Sequence, residues 1–495
     1  MAKGSRGGLA DLARSFLAFE EETRTFSREV CGPFWDWMRP AVFQHLLAER
    51  TSVEGQDAAV RMRRRRPYGD YAGQLVLGAL RSAGTALQSA RRYDVAVLNH
   101  WRRNVIQGKE VNMNCFPVIV GLADRYRLLV VDPYETRRRA TLGYPAGVRI
   151  ISSFHLLDLM KARLLSRWRR PRCLGRLRQM IAAKFGMDID LGALYANERA
   201  RHVVSLRRLN VLFQKHRPRV VIAAHRDFAA IEAAHALGIP FVELQHSMIS
   251  ALNIPYNYPD SVRAEHVPTL PDYVFTFGEY WNDKFSMPSQ KRAVGYPFFD
   301  MMLKSIRPEV LPTERANRQH NIIIIGGYLA KQALLQTTLE LSRLLPSFTI
   351  FYKLKLADYS DWRSRYPQEF WKRENIRVID SNDTALYEYF SACAYVVGVN
   401  SGALYEGLAF GLTTFVLRAG CYEESRELFE QGHAFLVDGA EEIARVIQTG
   451  QKPQHSLSRD SLFRPGALVN VEAEITAVVQ RSDLTTSRRG IALRS

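Results

Sequence analysis

Apolar residues along the chain follow two rhythms. Near the start, Phe34, Trp37, Met38, Phe43, Leu46 and Leu47 fall three and four apart, which predicts a helix with one apolar face, interrupted by Pro33 and Pro40. From Asp94 the pattern changes to short apolar, β-branched runs. DVAVLN (Asp94 to Asn99), RLLVVD (Arg127 to Asp132), RVVIAAH (Arg219 to His225), PFVELQ (Pro240 to Gln245) and DYVFTF (Asp272 to Phe277) predict strands. Helical stretches such as Phe228 to Leu237 lie between them, the alternation expected of a parallel sheet covered on both faces.

Residues 304–320 carry two prolines, many charges and little periodicity, and read as a linker. The strand rhythm restarts with NIIIIGG (Asn321 to Gly327), TIFYKL (Thr349 to Leu354), IRVID (Ile376 to Asp380), YVVGV (Tyr395 to Val399), TTFVL (Thr413 to Leu417) and AFLV (Ala434 to Val437). The expected organisation is a helical basic extension (1–90), a Rossmann-like domain (91–303), the linker, a second and smaller Rossmann-like domain (321–450), and a C-terminal extension (451–495) whose last residues, Ser482 to Ser495, read as a frayed tail. Two such domains facing each other form a cleft at the carboxyl ends of their strands, where open α/β sheets bind ligands.

Composition narrows the class. At 495 residues with 47% hydrophobic and 24% charged, the sequence reads as folded domains, and neither a collagen-like nor a disordered chain fits. No apolar stretch reaches about 18 residues and Met1 to Gly8 has no apolar run before its first charges, so a spanning helix and a secretory signal are not expected and the cytoplasm is. The five cysteines, Cys31, Cys115, Cys173, Cys393 and Cys421, include no C-x-x-C pair and read as reduced structural thiols. Of the net charge of +18, residues 1–180 supply +16, with 32 basic against 16 acidic residues, so the partner met by that end is expected to be anionic.

Several local patterns carry chemistry. In VVGVNSGALYEGLAFG (Val396 to Gly411) a strand ends at Asn400, Ser401 stands where a helix N-cap is wanted, and Gly402 lets a ligand approach the backbone. The free N–H groups of such a helix start suit a diphosphate, and Glu406, one turn on, is placed to accept from a ribose; a simple cap and a solvent-facing glutamate would give the same spacing. In GIPFVELQHSMIS (Gly238 to Ser250), Gln245 and His246 leave a strand at the cleft edge, where an imidazole can serve as general base. Gly326 and Gly327 open a strand-to-helix turn near the same cleft, without the G-x-G-x-x-G or Walker lysine of a dinucleotide or ATP site.

The ordered series ELQHSMIS, FGEYW (Phe277 to Trp281), VGYPFFD (Val294 to Asp300), FYKLKLADYSDW (Phe351 to Trp362) and LYEYFSACAYVVGVNSGALYEGLAFG resembles the successive motifs of the GT-B-fold glycosyltransferases of bacterial capsule and lipopolysaccharide synthesis. It is similar at longer range to the polyol-phosphate transferases of teichoic acid assembly. The resemblance covers Tyr93 to about Ile447. It implies a metal-independent transferase with no cofactor, using a CMP-, CDP-, GDP- or UDP-linked sugar as co-substrate and a polysaccharide or lipid-linked saccharide as acceptor. It places the donor at Gly326, Gly327, Lys353, Lys355, Asn400, Ser401, Gly402 and Glu406, and the acceptor near Gln245, Ser247 and Glu279. The base is to be sought among His246, Glu110, Asp227 and Glu243, with His246 first. The family's Q-H-G stands here as Gln245, His246, Ser247, and its K-x-H-P as Lys353, Leu354, Lys355, Leu356; Lys355 keeps the positive charge of the replaced histidine without its proton chemistry near neutrality.

Three further features complete the picture. Asp188-Ile189-Asp190 is a D-x-D, but it lies away from any predicted strand end, and no metal is expected there. The run Arg61 to Arg66 and the basic amphipathic stretch Leu156 to Arg172, with Leu157, Met160, Leu164 and Trp168 at helical spacing, suit peripheral contact with an anionic membrane; solvated loop and packed helix are the alternatives. Two rival functions remain at this point, a CDP-glycerol-type polyol-phosphate transferase and a non-enzymatic polyanion-binding protein. Nucleic acid is not expected, because no RNP, KH or zinc-finger signature is present.

Overall fold

A computed structural model describes residues 8–27, 29–32, 34–51, 91–100, 104–106, 109–132, 144–145, 148–152, 164 and 170–492. The arginine run 61–66 and most of the amphipathic stretch 156–172 lie outside the described residues.

Two parallel sheets organise the chain. The first has seven strands: β1 (Val95–Leu98), β4 (Leu128–Asp132), β5 (Arg149–Ser152), β6 (Val220–Ala223), β7 (Phe241–Leu244), β8 (Tyr273–Thr276) and β9 (Gln290–Ala293), with spatial order β5-β4-β1-β6-β7-β8-β9. Between β1 and β4, β2 (Asn104–Ile106) and β3 (Lys109–Val111) form a separate antiparallel hairpin. The second sheet has six strands: β10 (Asn321–Ile325), β11 (Thr349–Lys353), β12 (Ile376–Ile379), β13 (Tyr395–Gly398), β14 (Thr413–Leu417) and β15 (Phe435–Val437), in the order β12-β11-β10-β13-β14-β15. Their inner strands are Val- and Ile-rich and buried along their length, as strands covered on both faces must be.

Strand order matters more for function than strand count. The chain leaves β1 toward β4 and β5 on one side, then returns to add β6 on the other; likewise it leaves β10 toward β11 and β12 and returns to add β13. Each sheet therefore has one reversal point, between β1 and β6 and between β10 and β13. Crossovers diverge there and open a crevice at the carboxyl ends of the strands, the usual ligand position of open α/β sheets.

Described helices of both segments read as extensions pack on the first domain. Helices Leu9–Thr23 and Phe34–Thr51 bury Phe16, Phe19, Trp35, Met38 and Leu46 in the largest core, and the second helix runs on through Pro40. A proline expected to break the helix is tolerated because the surrounding core holds the turn. Arg39 beside it is fully buried, paired with Glu20 and donating to the carbonyls of Ile254 and Asn257 at 2.7 and 2.8 Å. At the other end of the chain, helix Ala467–Ala492 crosses back to the first sheet and buries Val471, Ile475, Val478 and Val479 among residues of β1, β4 and β6. The linker is also built in: Arg318 donates to the carbonyls of Cys393 and Phe410, and Arg315 pairs with Glu388.

The two domains share a packed seam. Trp281 and Tyr405 rings lie 4.8 Å apart across it, Lys284 pairs with Glu427 at 2.8 Å, and Trp281 Nε1 donates to the Leu462 carbonyl. Helix Leu9–Thr23 adds a strap, since the Ala10 amide donates to the Glu423 carboxylate of the second domain at 3.1 Å.

Candidate functional site

The second domain's crevice is lined largely by backbone. After β13, Ser401 caps helix Gly402–Ala409, its Oγ accepting from the Ala403 amide at 3.3 Å. Asn400 donates to Glu424 at 3.2 Å, and Ser425 donates to the Val399 carbonyl at 2.8 Å, which fixes the strand-to-helix turn. At the far end the Arg459 and Arg318 guanidinium groups hold the carbonyls of Ala409 and Phe410. The helix start adjoins the first domain: a Cβ added at Gly402 would lie 4.0 Å from the Met248 amide nitrogen. Two residues before Met248 is His246. The two strongest sequence motifs, separated by more than 150 positions, thus meet across the domain seam.

Other donor-side expectations are placed differently. Gly326 is a glycine for packing, because a Cβ there would come within 2.7 Å of the Lys353 carbonyl; Gly327 has ordinary room and borders the crevice. Lys353 is engaged inside its own domain, donating to the Ser381 carbonyl at 2.7 Å, to Asn382 at 3.0 Å and to the Tyr359 hydroxyl. Burial lowers its ammonium to about 8. These bonds tie the loops that follow β11 and β12 together. Lys355 is half-buried in the turn that starts the short 3-10 segment Leu356–Asp358. Glu406 is half-buried on the inner face of its helix, with the Tyr387 hydroxyl against it and Tyr296 nearby, and burial raises its carboxyl to about 7.

The first domain's crevice is lined by side chains. His100 stands two residues beyond β1 and His225 two residues beyond β6, on the two strands that flank the reversal point. Their rings meet edge to face with centroids 4.5 Å apart. His246 stands two residues beyond β7, the next strand. The Asn99 carboxamide accepts from the His100 amide at 3.0 Å and donates to Asp132 at the end of β4, so the loop bearing His100 is anchored. Neither His100 nor His225 stood out in the sequence. The signal was present, a histidine at the same offset from three strand ends, but only the strand order makes them neighbours.

Behind these rings lies a buried ionic cluster. Glu243 on β7 is fully buried, accepts from the Tyr256 hydroxyl at 2.5 Å and lies 3.7 Å from Arg226 Nε. Burial pushes its carboxyl up, against the opposing pull of Arg226. Arg226 also donates to the Tyr258 hydroxyl, which in turn bonds Asp36 of helix Phe34–Thr51. Glu243 as a direct base for a bound acceptor is corrected on this ground: it has no exposed surface. Asp227 caps helix Phe228–Ala236, accepting from the Ala230 amide at 3.0 Å. Glu110 lies in β3 opposite Val105, and its side chain is outside the described residues.

The acceptor-side expectations divide. Gln245 is buried and clamps the edge, donating to the Ser247 carbonyl at 2.9 Å and accepting from the Phe277 amide at 2.8 Å; its expected contact with an acceptor is corrected to a positioning role. Ser247 and Glu279 are exposed, Glu279 accepting from Asn282 at 2.7 Å within its own short helix. Of the D-x-D, Asp188 pairs with Arg178 and Asp190 caps helix Leu191–His216. Among the described residues no three His, Cys, Asp or Glu side chains are grouped as a metal ion would need, and no helix is long and apolar enough to cross a membrane.

No protein-family model matches the sequence, and no curated protein matches it either. Solved structures resemble it in overall shape. The UDP-GlcNAc 2-epimerase of Methanocaldococcus jannaschii is 11% identical with a TM-score of 0.47, over 77% of this chain and 99% of that one. The UDP-N-acetylglucosamine 2-epimerase of Rickettsia bellii is 11% identical with a TM-score of 0.47, over 80% and 98%. The glycotransferase of kitacinnamycin is 13% identical with a TM-score of 0.43, over 80% and 99%. Likeness at this level says nothing of reaction or substrate. The fold rests on the sheets themselves: two parallel, doubly wound, Rossmann-like domains packed against each other in the GT-B arrangement.

Proposed function

We propose that the chain is a GT-B glycosyltransferase that moves a sugar from a nucleotide-activated donor to a bacterial surface polysaccharide or its lipid-linked precursor. One observation supports this most: the start of helix Gly402–Ala409 at the reversal point of one sheet faces the His246 loop of the other. An anion-binding helix start and an imidazole-bearing strand edge meet, as transfer from a phosphate leaving group to a hydroxyl acceptor requires. The amides beyond Ser401 receive the donor phosphate, the face bearing Glu406 lies toward the nucleoside, and the histidine-lined crevice receives the acceptor. The acceptor class comes from the motif resemblance.

Thermal unfolding with CMP, CDP, GDP and UDP tests the donor half. A nucleotide that binds the folded state at a hundred times its Kd adds about 2.7 kcal/mol of stability. Absence of any shift across the panel would overturn the reading. CMP release from CDP-glycerol, measured separately, distinguishes the polyol-phosphate alternative, because only that enzyme turns it over.

The basic first third of the sequence is proposed to hold the enzyme against an anionic membrane on the cytoplasmic side. Each basic residue near such a surface contributes about 1 kcal/mol, so several acting together suffice for salt-sensitive retention. Liposome co-sedimentation is the measurement; equal recovery on neutral and anionic vesicles would assign the charge to an anionic saccharide acceptor instead.

A further inference from the structure

His225 is the histidine best built for proton transfer, although His246 lies in the more recognisable motif. It sits on β6 at the reversal point of the first sheet, whereas His246 sits one strand farther along. Ladder register makes the placement definite: Leu98 of β1 is level with Ala223 of β6, and Ala223 is level with Glu243 of β7. His100 and His225 are therefore side by side at the mouth of the crevice, with Glu243 one strand over and two residues deeper than His225.

His225 and Glu243 are neighbours in the register. Nδ1 of His225 is buried with no hydrogen-bond partner, and Oε2 of Glu243 is buried with only Arg226 Nε near it, at 3.7 Å. The imidazole is also near enough for its charged form to favour the Glu243 carboxylate. Nδ1 is thus withdrawn from solvent, and Nε2 is the ring nitrogen left to meet a ligand. A buried carboxylate close behind an imidazole can accept its inner N–H and so hold the ring as an oriented base. Such pairs are often loose before substrate binds and tighten in the complex. His100 packs against the ring from the other side and limits its rotation.

His246 has a different neighbour. Two residues after it, the Met248 amide lies beside Gly402, at the helix start assigned to the donor phosphate. Parallel strands are spaced about 4.8 Å apart. The order from the donor helix inward is thus His246, then His225, then His100.

Resting on the glycosyltransferase reading, we propose that His225 is the catalytic base that takes the proton from the acceptor hydroxyl, that Glu243 and His100 position it, and that His246 serves the leaving phosphate. The acceptor O–H bond breaks, with its proton passing to Nε2 of His225. The acceptor oxygen forms a bond to the anomeric carbon. The bond from that carbon to the donor phosphate oxygen breaks, the electron pair leaves on the phosphate beside the helix start, and the imidazolium later returns its proton to solvent.

The test compares His225→Gln with His246→Gln in the full chain. Calorimetric titration with CMP, CDP, GDP and UDP gives nucleotide affinity, and release of nucleotide from the matching nucleotide sugar, with water as acceptor, gives turnover at saturating donor. His225→Gln is expected to lose about 10²-fold or more in turnover with nucleotide affinity within three-fold of wild type. His246→Gln is expected to weaken nucleotide affinity several-fold. Turnover of His225→Gln within three-fold of wild type overturns the proposal whatever His246→Gln does. If His225→Gln does not fold, Glu243→Gln tests the same pair: at least a ten-fold loss of turnover with nucleotide affinity retained supports it, and unchanged turnover overturns it. Wild type that binds none of the four nucleotides overturns the glycosyltransferase reading and this proposal with it, whereas nucleotide binding with an indifferent His225 overturns this proposal alone.

Discussion

At the reversal point of the second sheet the surface at the strand ends is backbone: Gly327, the Ser401 cap and the turn that begins at Gly402. At that of the first sheet it is side chain: His100, His225 and, one strand over, His246, standing on a buried cluster of Glu243, Arg226 and Asp36. The two domains share a construction and differ in the atoms they present. A surface made of amides has fixed geometry as soon as the helix forms and suits an invariant group such as phosphate. One made of imidazoles must be held in place from behind, and its supporting layer reaches into helices contributed by the start of the chain. The comparison teaches that the first domain's edge carries the larger structural cost of the two.

The largest expected effect attacks that support. Arg39 and Glu20 are both fully buried, and Arg39→Met strands the Glu20 carboxylate and two carbonyls. The single substitution should cost about 3–5 kcal/mol, while the double Glu20→Leu with Arg39→Met should restore much of the loss, because a buried pair is costly mainly when broken. Thermal unfolding of the three proteins decides it. A single variant within about 1 kcal/mol of wild type would show that the first domain's edge needs no buried ionic foundation.

How much was legible in the sequence follows the same division. All eleven strands predicted from apolar runs are present; inner strands such as β10 (Asn321–Ile325) and β13 (Tyr395–Gly398) are covered on both faces and so must be continuously apolar, while the edge strands β12 and β15 kept enough apolar residues to be read. The edge strands β5 (Arg149–Ser152) and β9 (Gln290–Ala293) were missed; β9 reads Gln-Lys-Arg-Ala, and an edge strand is free to be polar. The Ser401 and Gly402 turn was readable since a cap and its helix are neighbours in sequence. His100 with His225 was not, since a pair brought together by strand order carries no local spacing. Helix Ala467–Ala492 had its signal in Val471, Ile475, Val478 and Val479, but nothing in the sequence says that it returns to the first sheet.

Two glycines sharpen the comparison within the second domain. Gly326→Ala places a Cβ within 2.7 Å of the Lys353 carbonyl, so the backbone must shift, at a cost of about 1–3 kcal/mol in stability. Gly402→Asp has room, its nearest neighbour being 4.0 Å away, and a carboxylate in the first turn favours the helix. On the proposed donor site it also takes the charge position of the phosphate. Nucleotide affinity should therefore fall about ten-fold or more, while the melting temperature holds or rises slightly. Equal loss of affinity in both variants would mean that the helix start has no special part in binding.

The smallest expected effect separates burial from ligand binding at Glu406. Its carboxyl is raised from 4.5 to about 7, with burial the main cause and the Tyr387 hydroxyl opposing it. Because the folded protein holds this proton more tightly than the unfolded chain does, stability falls as pH rises from about 4.5 toward 7, and the full penalty is present above 7. Glu406→Gln removes the titration and keeps the shape. The variant should match wild type near pH 4.5 and exceed it at pH 8, by about 1 kcal/mol once the side chain's partial exposure is allowed for. Melting curves at the two pH values give the difference directly, and a gap that does not change with pH would show that burial is not what raises the carboxyl. The same variant measured for nucleotide affinity decides the other half: if Glu406 also receives the ribose, affinity falls even as the fold gains, and if it only packs against Tyr387, the nucleotide binds as before.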